Sequence, residues 1–413
     1  MPPRENVKVV GTLADHAVRD FLTRADQPYE WLAEEAGRAT LERHGVAGAE
    51  LPVVVIDDEI VLVRPTLEQL ADALGVRSPP KKTDCDVVIV GGGPAGLAAA
   101  VYAASDGLSV AVPESDVPGG QAAYTSRIEN YFGIDPLGEP MTGARLARIG
   151  GRQAEMFGAE LLIVRGAVES RPLDDGRHQV RLSTGERLRA RALICASGVT
   201  WRRLDVPGID EFFGRGVFFG AGRSEAPLLQ GKQVIVAGGG NSAGQAALHL
   251  AEFAAHVTIV CRAASLAASL SGYLLERVRA NNRIDVRLNS QVTAVGGSGK
   301  LEEVTLNGTE RLPADAMFVA IGGAPQTEWV AGHSLIHDES GYLLTGPDLM
   351  TGGQPPEQWP LERVPYGLEA SVPGIFVAGD VRHGSVKRVA AAVGEGATAV
   401  AQVHPYLAER PTP

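Results

Sequence analysis

Apolar positions change their period several times along the chain, and each change marks an element. Val7 to Val10 reads as a strand, and Asp15 stands where it can cap a helix whose apolar positions Val18, Phe21 and Leu22 share one face. A second apolar stretch at Tyr29 to Leu32 precedes a helical pattern near Arg38 to Arg43, and Leu51-Pro52 opens a strand at Val53 to Ile56. The pair Asp57-Asp58 turns the chain into Ile60 to Val63, and Thr66 with Gln69 spells a capping box for a last helix through Leu74. The predicted order over residues 1–76 is β-α-β-α-β-β-α, a small α/β domain. Residues 77–83, RSPPKKT, neither pack nor continue a helix and are expected to form a linker.

From Asp84 the pattern becomes a continuous apolar run, DCDVVIV, followed by glycines and an apolar helix. Val87 to Ser105 is uncharged for long enough to cross a bilayer, but its four glycines and one proline behind a strand favour strand, turn and helix. Gly91, Gly93 and Gly96 form the fingerprint G-x-G-x-x-G. The first permits a tight turn, the second admits a pyrophosphate close to the backbone, and the third lets helix and strand pack; Pro94 and Ala95 open the helix whose N-terminus faces the phosphate charge. Glu114 lies 18 residues past Gly96, at the end of the next strand, where an acid can hold a ribose hydroxyl. A second fingerprint, Gly238, Gly240 and Ala243 with Asn241 and Ser242 between them, follows about 147 residues later. Two such units predict two dinucleotides, a flavin facing a nicotinamide, because hydride transfer requires the two rings at contact distance.

Composition narrows the partners. A formal charge of −11 without long single-sign blocks argues against nucleic acid or an anionic membrane surface, and 45% hydrophobic residues exclude wholesale disorder. The three cysteines, Cys85, Cys195 and Cys261, make no disulfide framework, and no two are spaced C-x-x-C. A reducing cytoplasm fits best, no metal site is expected, and the opening MPPRENVKVVGT has no apolar run of signal-peptide length, so export by that route is not expected.

Six segments, the second fingerprint among them, occur in the order of bacterial thioredoxin reductases: PGGQ at Pro118 to Gln121, RIENYFG at Arg127 to Gly133, ALICASGV at Ala192 to Val199, GGGNSA at the second fingerprint, AIGGAPQT at Ala320 to Thr327 and GIFVAGDV at Gly374 to Val381. The chain resembles thioredoxin-reductase-like flavoproteins of the pyridine nucleotide-disulfide oxidoreductase family over about 330 residues, and in particular actinobacterial and cyanobacterial members with an extra N-terminal domain. Residues 1–76 resemble a thioredoxin or glutaredoxin domain, with Pro52 where that fold keeps a cis-proline. Where such a domain carries its cysteine pair, this chain has Leu13, Ala14, Asp15 and His16.

The resemblance implies an α/β fold of two Rossmann-like dinucleotide-binding domains of low-molecular-weight thioredoxin reductase type. Residues 84–201 and 320–413 would bind FAD and residues 202–319 NADPH or NADH. It places Gly120, Gln121 and Asn130 at the flavin ring, Gly379 and Asp380 on the ribityl or phosphate side, and Lys387, Arg388 and Val389 beside the pyrimidine end. The family's redox-active C-A-T-C falls where this chain has Gly220 and Arg223, so electrons cannot leave as a dithiol. Phe218 to Glu225, with Ala221 in its centre, is then expected to form one wall of an acceptor site, where Gly220 and Arg223 are candidate catalytic positions. Arg262 alone remains of the arginines that clamp a 2′-phosphate. The leading expectation is an FAD-dependent, NAD(P)H-oxidising homodimer that passes electrons to a small molecule or an electron-carrier protein. The alternatives are an oxygen-dependent flavin dehydrogenase or oxidase in biosynthesis, a ferredoxin-NADP reductase-like enzyme whose His404 or Tyr406 covers the flavin, and a flavin-bound sensor or interaction protein without turnover.

Overall fold

The computed structural model describes residues 3–12, 14–135, 137–220 and 222–409. The N-terminal unit runs β1 (Val7–Gly11), α1 (His16–Arg24), β2 (Glu30–Ala33), α2 (Glu34–Arg43), β3 (Val53–Ile56), β4 (Ile60–Val63) and α3 (Leu67–Leu74). Its sheet has the order β2-β1-β3-β4, with β1 parallel to β2 and antiparallel to β3. The Leu51–Pro52 peptide is cis. Thr66 and Gln69 make both bonds of the capping box, whereas Asp15 does not cap α1: its carboxylate instead accepts the Thr12 amide and hydroxyl. Leu13 lies outside the described residues.

The second unit begins with β5 (Asp84–Val90), α4 (Pro94–Ser105) and β6 (Val110–Pro113), and continues through α5 (Gly143–Met156), β7 (Glu160–Leu162), β8 (Ala167–Pro172), β9 (His178–Leu182) and β10 (Arg187–Cys195). Its sheet runs β7-β6-β5-β10-β9-β8, parallel from β7 to β10 and antiparallel beyond. After β11 (Val199–Trp201) the chain enters a third unit that opens with β12 (Val217–Phe219), β13 (Gln233–Ala237), α6 (Asn241–Leu250), β14 (His256–Val260), α7 (Gly272–Ala280) and β15 (Ile284–Arg287). A three-stranded meander of β16 (Val292–Gly296), β17 (Glu303–Leu306) and β18 (Glu310–Pro313) precedes β19 (Ala316–Val319), which completes an all-parallel sheet of order β12-β19-β13-β14-β15. The chain returns along β20 (Gly323–Pro325), antiparallel to β11, and ends with β21 (Ile375–Val377), which pairs with β10, and α8 (Val389–Glu409). The two larger units are therefore Rossmann-like α/β folds joined by a two-stranded ribbon. No described helix is long and apolar enough to cross a membrane.

Contacts too close for a side chain set the spacing around α4. A Cβ at Gly96 would lie 1.8 Å from the Gly91 carbonyl oxygen, and one at Gly396 on α8 would lie 2.1 Å from that of Ala95. These glycines allow α4 to sit on β5 and α8 on α4, with Val87, Ile89, Ala99, Ala103, Ile194 and Phe376 filling the core between layers. The C-terminal Tyr406 is buried in this core, edge-on to Phe376 at 6.1 Å.

In an exposed helix Gly396→Ala would gain about 1 kcal/mol of helix propensity. Here the overlap is with backbone, so the variant is expected to lose about 1–3 kcal/mol in urea unfolding. A gain in stability would show that α8 is free to move off α4.

Candidate functional site

The N-termini of α4 and α6 reach one cavity of about 1060 Å³ between the two larger units, with Gly238 and Gly240 themselves outside its lining. The N-caps of α4 and α6 are Gly93 and Gly240, which have no side chain with which to cap, so first-turn amides lie at the cavity without side-chain partners from these positions. An added Cβ at either glycine meets nothing within 4 Å, whereas one at Gly91 or Gly238 would lie 2.4 or 2.3 Å from a backbone oxygen. Gly91 also has φ +108°, the left-handed side that glycine alone adopts readily. The first and third fingerprint positions are thus filled by protein, while the second faces open space. This arrangement fits a pyrophosphate at each helix N-terminus.

Gly91, Gly93, Pro94, Ala95, Glu114, Gly120, Gln121, Asn130, Gly379, Asp380, Lys387, Arg388 and Val389 all line the cavity, and Asn241 and Ser242 line it from the other side. Gly96 and Ala243 sit behind it as packing positions, and Arg262 is exposed on the third unit, outside the lining. The Glu114 carboxylate is buried and accepts the amides of Gly92 at 2.7 Å and Asp116 at 2.9 Å. Burial raises its pKa, and those two hydrogen bonds work against the rise. Gln121 donates to the Val199 carbonyl at 2.8 Å, which ties the short turn Gly120–Tyr124 to the ribbon.

Lys387 donates to the Asp380 carbonyl at 2.7 Å, with its ammonium 4.4 Å over the Tyr342 ring. Burial lowers the Lys387 pKa and raises that of Asp380, and each group's charge opposes the other's shift. Glu395 on α8 accepts the Gly379 amide at 2.6 Å and pairs with Arg382 at 2.8 Å, fixing the Gly379-Asp380 turn. Sequence reasoning missed Glu395, Tyr342, Trp201 and Tyr124. Glu395 stands in the run VGEG, where nothing marks it as a partner of the Gly379 amide, and the aromatic residues carry no motif.

The candidate catalytic positions lie elsewhere. His404 pairs with Asp106 at 2.9 Å on the outer surface, and neither it nor Tyr406 lines the cavity of its own chain, because α8 packs along α4. Gly220 and Arg223 also stand outside the lining; Ala221 is beyond the described residues. A Cβ at Gly220 would lie 2.7 Å from the Tyr124 ring. Burial lowers the Arg223 pKa, and its Nη1 makes no hydrogen bond among the described residues. Phe218 and Glu225 are buried against α1 of the N-terminal unit: His16 Nδ1 lies 2.6 Å from Glu225 Oε1, and its ring centroid lies 5.1 Å from that of Phe218. Burial by itself lowers the His16 pKa and raises that of Glu225. Their mutual hydrogen bond and charge outweigh this in both groups, so His16 titrates above its ordinary range and Glu225 below.

The cysteines offer no redox pair. All three are buried, and burial pushes the Cys85 thiol up to about 11 and raises Cys195 further still. Among the described residues no cluster of ligands suits a metal.

The profile of the family described as pyridine nucleotide-disulphide oxidoreductase matches residues 85–396. Thioredoxin reductase of Bacillus subtilis (strain 168) is 33% identical over 330 residues, which is 78% of this chain and 95% of that protein. An alkyl hydroperoxide reductase protein of Escherichia coli (strain K12) is 32% identical over 337 residues, 79% of this chain but 59% of that protein, so the chain spans less than two thirds of that relative. Among solved structures, T. acidophilum thioredoxin reductase matches with a TM-score of 0.68 and 29% identity, covering 78% of this chain and 99% of its own. The FR conformation of Lactococcus lactis thioredoxin reductase gives the same score at 27% identity, covering 79% and 99%. The chain belongs to the pyridine nucleotide-disulphide oxidoreductase family and has the low-molecular-weight thioredoxin reductase fold.

Proposed function

We propose that this chain oxidises NADPH or NADH with FAD and delivers the electrons to an acceptor other than a protein disulfide. The observation that carries the reading is that two uncapped, glycine-opened helix N-termini share one cavity in a chain whose cysteines are all buried and unpaired. FAD, when bound, supplies two-electron chemistry between the nicotinamide and the acceptor. Residues 84–201 and 320–413 would hold it: Gly93 admits the pyrophosphate, Gly120 and Gln121 border the ring, and Lys387 supplies a cation at the Asp380 turn. Residues 202–319 would hold the nicotinamide dinucleotide on the N-terminus of α6.

The acceptor class is a small molecule or electron carrier that reaches the open cavity. A homodimer is supported by apolar side chains left in water on one chain, with Phe132 97%, Leu137 95% and Met156 71% exposed. The buried free thiols suit a reducing cytoplasm.

Gly93→Val adds atoms only to the open space, so the variant is expected to fold as the parent does and to purify colourless, checked by flavin absorbance and thermal melting. Full flavin content in a folded variant contradicts the assignment. No turnover of a thioredoxin or an aromatic disulfide above the free-flavin background is expected with either nicotinamide. Disulfide reduction abolished by thiol alkylation would overturn the acceptor reading. Arg262 is proposed to set the preference for the 2′-phosphate. Its charge-assisted contact, about 1.5–3 kcal/mol, predicts a loss of roughly tenfold to a hundredfold in kcat/KM for NADPH in Arg262→Ala, with NADH nearly unchanged; parallel losses would assign Arg262 to the adenine or the fold.

A further inference from the structure

The two dinucleotide-binding units are linked covalently only through the ribbon of β11 and β20, a connection that by itself permits rotation. An exposed ion pair, Arg277 to Glu129 at 2.7 Å, also crosses between them, and the Tyr124 ring of the second unit packs against Gly220 of the third. The N-terminal unit adds contacts to both. At the C-terminal end of α1, Arg24 pairs with Asp116 of the second unit at 2.7 Å and with Asp20 at 2.7 Å, and its guanidinium lies 5.0 Å over the Tyr124 ring. Asp26, just beyond the helix, pairs with Arg148 at 2.6 Å. At the N-terminal end of the same nine-residue helix, His16 holds Glu225 and packs on Phe218 of the third unit, close to Gly214. One helix therefore straddles the seam, tied to one unit at each end.

This attachment is more than surface contact. Val117 and Val164 of the second unit belong to the same apolar core as Val18, Phe21, Leu22 and Leu70 of the N-terminal unit. Arg24 is one of the residues lining the dinucleotide cavity. Glu225 is 2% exposed and also accepts the Ser224 hydroxyl at 2.6 Å. With His16 removed, this buried carboxylate loses the hydrogen bond by which α1 holds it.

We propose that the N-terminal unit is a fixed clamp: through Arg24 and Asp26 on one side and His16 on the other, it holds the two dinucleotide-binding units in a single relative orientation. It also covers Phe218 and Glu225, so a protein acceptor has no access there and electrons leave by way of the cavity. This last consequence rests on the function proposed above; the clamp itself does not.

The test is a distance measurement on the full-length protein. Spin labels are placed on the exposed sites Glu155 and Glu276 through Glu155→Cys and Glu276→Cys, which report the second unit against the third. Labelled chain is co-assembled with an excess of unlabelled chain so that only the distance within one chain is read, and a single narrow distance is expected in the otherwise unaltered chain and in Arg148→Lys. In His16→Ala/Arg148→Glu, which takes the imidazole from Glu225 and sets a carboxylate against Asp26, a second distance is expected in on the order of a tenth of the molecules or more. Two distances in the unaltered chain, or one unchanged distance in the double variant, overturn the proposal. Should the double variant fail to melt cooperatively, His16→Ala alone decides by the same criterion. Flavin absorbance is recorded on each sample. Colourless protein with one narrow distance sinks the cofactor reading and leaves the clamp, whereas yellow protein with two distances in the unaltered chain sinks the clamp alone.

Discussion

The site depends on how closely backbone can approach backbone at the N-terminus of α4. Gly91 lies against the Ala196 carbonyl, Gly96 against that of Gly91, and Gly396 against that of Ala95, each at a distance that leaves no room for a side chain. These contacts draw β5, β10 and α8 around the first turn of α4 and leave Gly93 as the position with space in front of it. The same logic recurs at α6, where Gly238 lies against the Ala320 carbonyl and Gly240 faces open space. What can bind in the cavity follows from which glycines are packed and which are not.

Several charged groups line that cavity. Glu114 and Asp380 are carboxylates whose burial is offset by backbone amides in one case and by Lys387 in the other. Arg24 is held against burial by Asp20 and Asp116, which keeps it fully charged at the edge of the cavity. Removing one partner of a buried ion pair such as Arg24–Asp20 typically costs about 3–5 kcal/mol, so Arg24 holds geometry as much as it holds charge.

Much of the site was legible because its signals are local. The two fingerprints, the capping box of Thr66 and Gln69 and the strands at Val53–Ile56 and Ile60–Val63 each depend on residues a few positions apart. The position of α1 was not legible: His16 and Glu225 are 209 residues apart, and nothing in either neighbourhood marks the other. Phe218 and Glu225, expected in a cavity wall, are instead covered by α1. Asp15 had the right residue type and place for a cap, but the turn before it offered its carboxylate the Thr12 amide and hydroxyl instead. His404 and Tyr406 invited a role near the flavin only by closeness to the chain end. The packing of α8 on α4 sends Tyr406 into the core and His404 to Asp106.

A flavin that works without a thiol pair takes up a fixed number of electrons, which can be counted. Anaerobic titration with NADPH or NADH, followed by flavin absorbance, is predicted to reach its end point at one equivalent per chain, since a flavin alone accepts one electron pair. An end point at two equivalents, with the second lost after thiol alkylation, would reveal a redox-active disulfide and contradict the account.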